Sequence, residues 1–525
     1  MRSRGHRLAE TLNIPRIDLP LAEVQARFDR LQQRLVPLWS SIEKLSESEQ
    51  TVVVVPSITV DYELRGSLAQ AYEERFLFML LLLRQPRARV VYVTSQRIAP
   101  NVIDYYLSLL PGVIPSHARR RLHLITPSDG GPLPLTLKLL QRPRLLEKIR
   151  SYVPDPSRAH LTPFNTTTYE RDLALRLGIP IYGADPQFLG LGTKTGSREL
   201  FEAAQVPCPL GIAGLRGEAD LVDAVAEIRG RAPDIRQVMV KLDQGVSGEG
   251  NAVIDLSGLD STPTRESIRH RVRRMQLESK STAVEAYLER LAQQGGVVEE
   301  RVVARELRSP SVQLRITPLG EVQLLSTHDQ LLGGPTGQTF QGCLFPAASD
   351  YAALISRHAE NVGRLLAQRG VLGRWGIDFL VAREADCWRP YAIEINLRKG
   401  GTTHPFLTLQ FLTEGTYDGH RAVFTSARGA GKYFVASDNV QSPLFRAFVA
   451  DDLFDIAVRH GLHYDHARET GVVFHMMTAL GDHGRAGLTA VEDSRAAARE
   501  LYDRTLSVLH AEARDALRPR ALPDI

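Results

Sequence analysis

Through the first 190 residues, short β-branched apolar runs alternate with stretches whose apolar positions recur every three or four residues. The runs at 52–55, 90–94, 122–126 and 179–182 predict strands, and the stretches at 67–83, 101–110, 135–150 and 167–177 predict helices. Strands separated by helices imply a parallel sheet with crossover connections, a Rossmann-like α/β arrangement. The first strand is followed by Pro56-Ser57-Ile58-Thr59 rather than G-x-G-x-x-G, so a dinucleotide site is not supported.

From residue 191 the texture changes. A helical segment (197–204) leads to a strand at 238–242, a glycine-rich loop and a strand at 252–256, and the charged stretch 265–274 with Lys280 reads as solvated surface. After Gly295-Gly296, strands are predicted at 297–303, 312–317, 322–326, 376–382 and 391–396. The last hundred residues read as a small α+β unit, with an apolar run at 471–477 and a helix at 494–511. The expected division is 1–190, 191–424 (a first lobe to 296 and a second from 297) and 425–525.

Bulk properties narrow the partners. A chain of 525 residues exceeds one ordinary core. Its net charge of +4 argues against nucleic acid or an anionic membrane as partner. The longest apolar run, 76–83, is far shorter than the ~20 residues of a membrane span, so it predicts a buried helix. Cys208, Cys343 and Cys387 are sparse and form no C-x-x-C pair, and no apolar signal core follows the charged start; a cytoplasmic protein is expected. Only eight of the 64 basic residues are lysine, so each lysine hints that a compact point charge was wanted.

Candidate chemistry begins at Tyr391-Ala392-Ile393-Glu394-Ile395-Asn396. In a strand, Glu394 and Asn396 share one face while Ile393 and Ile395 take the other. A second alternating strand carries Asp378, and turn residues between Arg383 and Pro390 predict a hairpin that sets Asp378 beside Glu394. These hard oxygen donors suit magnesium, in a two-metal arrangement. An exposed sheet face that happens to be polar remains the alternative. Upstream, Val238-Met239-Val240-Lys241 runs into a loop containing Ser247 and Gly248, whose backbone amides could approach phosphate while Lys241 supplies charge. The lysine precedes the glycines, so this is no Walker A loop. The run 298–307 could offer a strand edge to an adenine and an acid to a ribose.

In that order, Lys194, Lys241 with its loop, Val298-Glu299-Glu300, Asp378 and Glu394-Ile395-Asn396 resemble the ATP-grasp superfamily. The resemblance implies that Lys194 and Lys241 contact the phosphates of ATP, and that Ser247 and Gly248 belong to a lid. It implies that Glu299 to Val302 form the adenine hinge, with Glu300 a competing register for Glu299, and that Glu306 meets the ribose. Asp378, Glu394 and Asn396 would hold Mg2+, two ions by this likeness, with Mn2+ compatible. Further motifs are similar to the pheganomycin peptide ligase family: Arg75 with Tyr72-Glu73-Glu74, Leu110-Pro111-Gly112-Val113, Gly342-Cys343-Leu344-Phe345-Pro346, and Asn396 through Pro405. That likeness implies a Rossmann-like pre-ATP-grasp domain, a two-lobed ATP-grasp core and a short α+β C-terminal domain. The implied reaction is ATP-dependent amide formation through an acyl phosphate, between small-molecule or peptide carboxylate and amine substrates, with a homodimer as a compatible assembly. Arg398, two residues beyond Asn396, is the candidate for stabilising the acyl phosphate and the tetrahedral intermediate. The alternatives are a small-molecule kinase and a nucleotide-binding regulator without ligase activity.

Several other features carry less. Gly429-Ala430-Gly431-Lys432 echoes a P-loop but lacks its first glycine and the following Ser/Thr. His463, Asp465, His466 and His475 have metal-binding chemistry, yet Gly461 and the polar run predict a turn. His404 could touch substrate or simply pack against Pro405 and Phe406, and Arg315 could face the acyl substrate.

Overall fold

The computed structural model describes residues 17–43, 49–59, 66–110, 112–244, 250–260, 263–278, 282–333, 337 and 339–518. Strands β1 (Gln50–Val55), β2 (Ala88–Val93), β3 (Leu122–Ile125) and β4 (Ala159–Pro163) form a parallel sheet in the order β3-β2-β1-β4. Strand β4 escapes the sequence pattern because His160 and Thr162 interrupt its apolar positions, although all five residues are buried. The strand expected at 179–182 makes only a single parallel bridge, Leu161 to Ile181. Pro180 has no N–H to donate, so no ladder extends there. The apolar run at 76–83 lies in the 3-10 segment Arg75–Arg84 and is buried on every side, as expected.

The second sheet is antiparallel: β5 (Gly211–Leu215), β6 (Gln237–Leu242), β7 (Asn251–Asp255), β8 (Gln276–Leu277) and β9 (Gly296–Glu300), in the order β5-β9-β6-β7-β8. Helices Glu218–Arg231, Arg265–Val272 and Val284–Gln294 back it. The charged stretch read as solvated surface is thus partly a packed helix, since Ile268 and Val272 are buried. Lys280 lies outside the described residues.

Among the described residues the third sheet has nine strands. Strands β10 (Leu307–Arg308), β11 (Pro310–Ile316), β12 (Val322–Gly333), β13 (Thr339–Phe345), β14 (Gly373–Glu384) and β15 (Cys387–Asn396) belong to it, with β10 and β11 on one edge of β14 and β15 on the other. A small ribbon, β16 (Thr416–Asp418) and β17 (Val423–Thr425), precedes β18 (Tyr433–Gln441), β19 (Gly471–His475) and β20 (Arg485–Glu492). Because β18 pairs with β13, the C-terminal strands extend the same sheet. Helix Ser349–Gln368 covers β11 and β12 through Ile355, Ala359 and Val362 packed around Trp375. The N-terminal unit is tied in by the buried Glu74 carboxylate, which accepts from Met477 N (2.7 Å), Thr478 N (2.9 Å) and the Thr478 hydroxyl. No helix among the described residues is long and apolar enough to cross a membrane.

Candidate active site

One wall of the central cleft is the β14–β15 hairpin. Its antiparallel register sets Asp378 directly opposite Glu394 and Gly376 opposite Asn396, the pairing that the alternation implies. Asp378 Oδ1 accepts from Gln330 Nε2 at 2.7 Å, and Oδ2 accepts from Asn396 Nδ2 at 3.0 Å. Burial, and then the neighbouring Glu394 charge, push the Asp378 carboxyl up to about 6. Lys194, in the first turn of helix Lys194–Ala203, forms an ion pair with Glu394. That helix is fastened to the hairpin where Ile395 N donates to Ser197 Oγ at 3.0 Å. Arg398 lies over the Phe164 ring at 5.9 Å; burial lowers its pKa, against the pull of Glu394 and Asp378.

The facing wall is the second sheet. Strand alternation and register place Met239 and Lys241 of β6, Asn251 of β7 and Glu299 of β9 on the cleft side. Lys241 Nζ donates to Glu299 Oε2 at 2.7 Å, and Arg198 Nη1 approaches Oε1 at 3.4 Å. Glu300 instead accepts from Leu210 N at 2.8 Å. Between the walls is a cavity of about 890 Å³ whose lining includes Lys194, Lys241, Glu299, Glu300, Val302, Asp378, Glu394, Asn396 and Arg398. Two carboxylates opposite each other, an amide and an adjoining ammonium make a site prepared for cationic charge. Its hard oxygen donors fit magnesium.

The remaining sequence candidates fall elsewhere. Ser247 and Gly248 lie outside the described residues. Glu306 stands at the rim, outside the lining, and pairs with Arg308 at 2.8 Å. Arg315 shares a face with the cleft residues Ser311 and Gln313, but there the Trp39 ring covers its guanidinium at 4.9 Å. Its Nε donates to Gln323 at 2.6 Å, so Arg315 does not face the cleft. His404 is buried behind the lining, against Asp438 and His475, rather than open to the cavity or packed only on Pro405 and Phe406. Burial holds it at about 3, hence neutral. Lys432 is consumed by Asp493 (2.6 Å) and the Arg468 carbonyl, which accounts for the rejected P-loop. Asp465 accepts from Ala467 N and Arg468 N, the turn expected there.

Gln330, Asp438, Asn439 and Arg485 also line the cavity, although none stands in a motif that marks it in the sequence. Asp438 forms a buried ion pair with Arg75 at 2.5 Å, and Arg75 and Arg485 both lie against the Tyr72 ring, at 4.8 and 5.8 Å. Only the Tyr72–Arg75 motif signalled this end of the cleft.

The ATP-grasp description with IQCH-like character matches residues 189–288 and 282–420, the span that holds both walls. A description of a PGM1 C-terminal domain matches residues 452–505. The L-propargylglycine–L-glutamate ligase of Streptantibioticus cattleyicolor is 30% identical over 445 residues, covering 83% of this chain and 88% of that protein. The chain belongs to this ATP-grasp family. The ATP-grasp enzyme is also similar to IQ motif-containing protein H of Danio rerio, at 23% identity over 542 residues, covering 93% of this chain and 51%, about half, of that longer protein. Biotin carboxylase from Campylobacter jejuni, solved as a β-γ-ATP complex, superimposes with a TM-score of 0.52 at 12% identity over 89% of this chain and 96% of that one, a likeness of fold. The chain is thus an ATP-grasp enzyme of the ligase or carboxylase kind.

Proposed function

We propose that this ATP-grasp enzyme is a carboxylate–amine ligase that phosphorylates one substrate's carboxylate and joins it to an amine, releasing ADP and phosphate. The observation that carries the reading is the position of Arg398. It lines the cleft within electrostatic reach of Glu394 and Asp378 and also of Arg75, so it joins the acidic wall to the end of the cleft where Arg75 and Arg485 lie. Phosphoryl transfer requires positioning and charge neutralisation more than a protein nucleophile. In this reading Lys194 and Lys241 hold phosphate oxygens, releasing Glu394 and Glu299 from their ion pairs. Asp378, Glu394 and Asn396 would hold the Mg2+, which neutralises the phosphates when bound; two ions are proposed, and Mn2+ suits the same donors. The Lys241–Glu299 bond favours Glu299 over Glu300 as the inward hinge acid, with Val302 beside it. The family likeness assigns Ser247 and Gly248, outside the described residues, to the phosphates and Glu306 to the ribose.

Arg398 neutralises the acyl phosphate and then the oxyanion formed on amine attack. Arg75 and Arg485, both against the Tyr72 ring, suit the carboxylate of an amino-acid or peptide acceptor, as in the relative whose name specifies L-glutamate. The narrower likeness to the pheganomycin peptide ligases, a place in natural-product biosynthesis, a cytoplasmic homodimer and the domain limits 1–190, 191–424 and 425–525 belong to the same proposal.

The test is a panel of amino acids and short peptides with ATP and Mg2+, with and without hydroxylamine. Expected are hydroxamates when hydroxylamine is present, and otherwise ADP release that needs an amine acceptor, with a new amide detected by mass. ADP release that needs only bicarbonate would indicate a carboxylase, and a stable phosphorylated product would indicate a kinase; either overturns the reading. Glu394→Gln should abolish turnover with the circular dichroism unchanged.

A further inference from the structure

Behind the acceptor end of the cleft, three distant parts of the chain converge on one point. His404 follows the Arg398 loop, Asp438 lies on β18 and His475 ends β19. All three are buried, and their donor atoms form a closed triangle. His475 Nε2 to Asp438 Oδ1 is 2.9 Å, His404 Nε2 to His475 Nε2 is 3.0 Å, and His404 Nε2 to Asp438 Oδ1 is 3.1 Å.

Hydrogen bonds alone satisfy such a triangle poorly. Each imidazole Nε2 has either one proton or one lone pair, so it makes one bond. If both nitrogens donate to Asp438 Oδ1, two N–H groups confront each other across 3.0 Å. If one donates to the other, the acceptor has no proton left for the carboxylate. At least one edge of the triangle is therefore a hydrogen-bond distance without a hydrogen bond. A cation taking one lone pair from each atom satisfies all three. An ion about 2.0–2.1 Å from every donor would sit roughly 1 Å out of their plane, a normal position over one face of a coordination polyhedron.

The surroundings have the character of outer-shell support. Asp438 Oδ2, the oxygen turned away from the histidines, accepts from Arg75 Nη1 at 2.5 Å, fixing the carboxylate as ligand partners commonly do. Gly487 lies opposite His475 in the β19–β20 ladder, and a Cβ there would stand 2.0 Å from the ring's Cδ2. The absence of a side chain at 487 is what lets the imidazole reach the triangle.

We propose that His404, Asp438 and His475 bind one divalent transition-metal ion of the zinc class, at a site separate from the magnesium acids, which pins the segment after Arg398 to the C-terminal strands. Two imidazoles and one carboxylate favour zinc, cobalt or ferrous iron over magnesium, which prefers oxygen donors. Three protein ligands leave a coordination position for a water molecule.

The experiment uses the full chain expressed with zinc supplied, elemental analysis of the purified protein, and Co2+ titration of chelator-stripped protein in excess Mg2+, followed by absorption. Expected are one zinc per chain and one Co2+ site with imidazole-type ligand-field bands that excess Mg2+ does not displace. His475→Gln should weaken Co2+ binding by more than the ~10–100-fold that loss of an outer-shell partner costs, whereas Glu394→Gln should retain it. If His475→Gln does not fold, the Mg2+ competition on the wild-type chain decides. A stripped wild-type chain that takes up no Co2+, or Co2+ that Mg2+ displaces or that Glu394→Gln abolishes, overturns the proposal. None of these readouts depends on ligase activity, so the assignment stands or falls apart from the proposed reaction.

Discussion

Replacing Asp378 with asparagine isolates what it costs this fold to keep two carboxylates face to face before magnesium arrives. The carboxyl titrates at about 6 in the folded chain, against 3.8 for an unperturbed aspartate, with burial the larger cause and Glu394 the next. A folded pKa above the unfolded one means that stability is greatest while the group is protonated in both states. It falls as pH rises between those values and is flat above them. The distance between those two values corresponds to at most about 3 kcal/mol at neutral pH, an upper limit because the side chain borders the open cleft. Asparagine keeps the shape and removes the charge, although Asn396 must turn its amide to present oxygen to the new N–H. Allowing ~1 kcal/mol for that adjustment, Asp378→Asn should be stabilised by about 1–2 kcal/mol at pH 8 in chelator-containing buffer, and by nothing near pH 4. Urea unfolding followed by fluorescence reads this well, because Trp375 and Trp388 belong to the core beneath the hairpin. Added Mg2+ and a non-hydrolysable ATP analogue should stabilise the wild type and leave the variant unmoved. A variant no more stable than wild type at pH 8, or a difference independent of pH, would refute the reasoning.

Lys241→Ala should weaken ATP binding by about tenfold or more, equivalent to ~1.4 kcal/mol, in calorimetry; an unchanged affinity would make the lysine a partner of Glu299 only. Arg398→Ala should lower kcat on the order of 10²–10³-fold with the ATP dissociation constant unchanged, and an equal loss in both would move Arg398 away from the reacting carboxylate. Glu74→Ala strands three donors at the junction with the turn at 476–478, so it should destabilise by about 3 kcal/mol and expose that turn to limited proteolysis. Wild-type resistance to proteolysis in that variant would show that the junction rests on apolar packing instead.

Where the chemistry is local, the chain announced it. Glu394 and Asn396 share a face because a strand repeats every two residues, and a short turn makes their strand a direct neighbour of the one carrying Asp378, so the pairing with Glu394 could be read from alternation. The scarcity of lysine drew notice to Lys194 and Lys241, and both line the cleft. Arg315 shows the limit of the same logic. Its face was predictable, but the Trp39 ring that covers it arrives from a helix 276 residues away in sequence.

By itself, then, the sequence determined which side chains project together within each strand, and that parallel strands spaced by helices come before the strands carrying Lys241, Asp378 and Glu394. The tertiary structure alone decided that β18 joins β13 to continue one sheet, that Arg75 meets Asp438, and that His404 meets His475. The physical reason is that periodicity constrains a residue only against its near neighbours. Which edges pair and which faces bury one another depends on the packing of the whole chain, and no short motif encodes that.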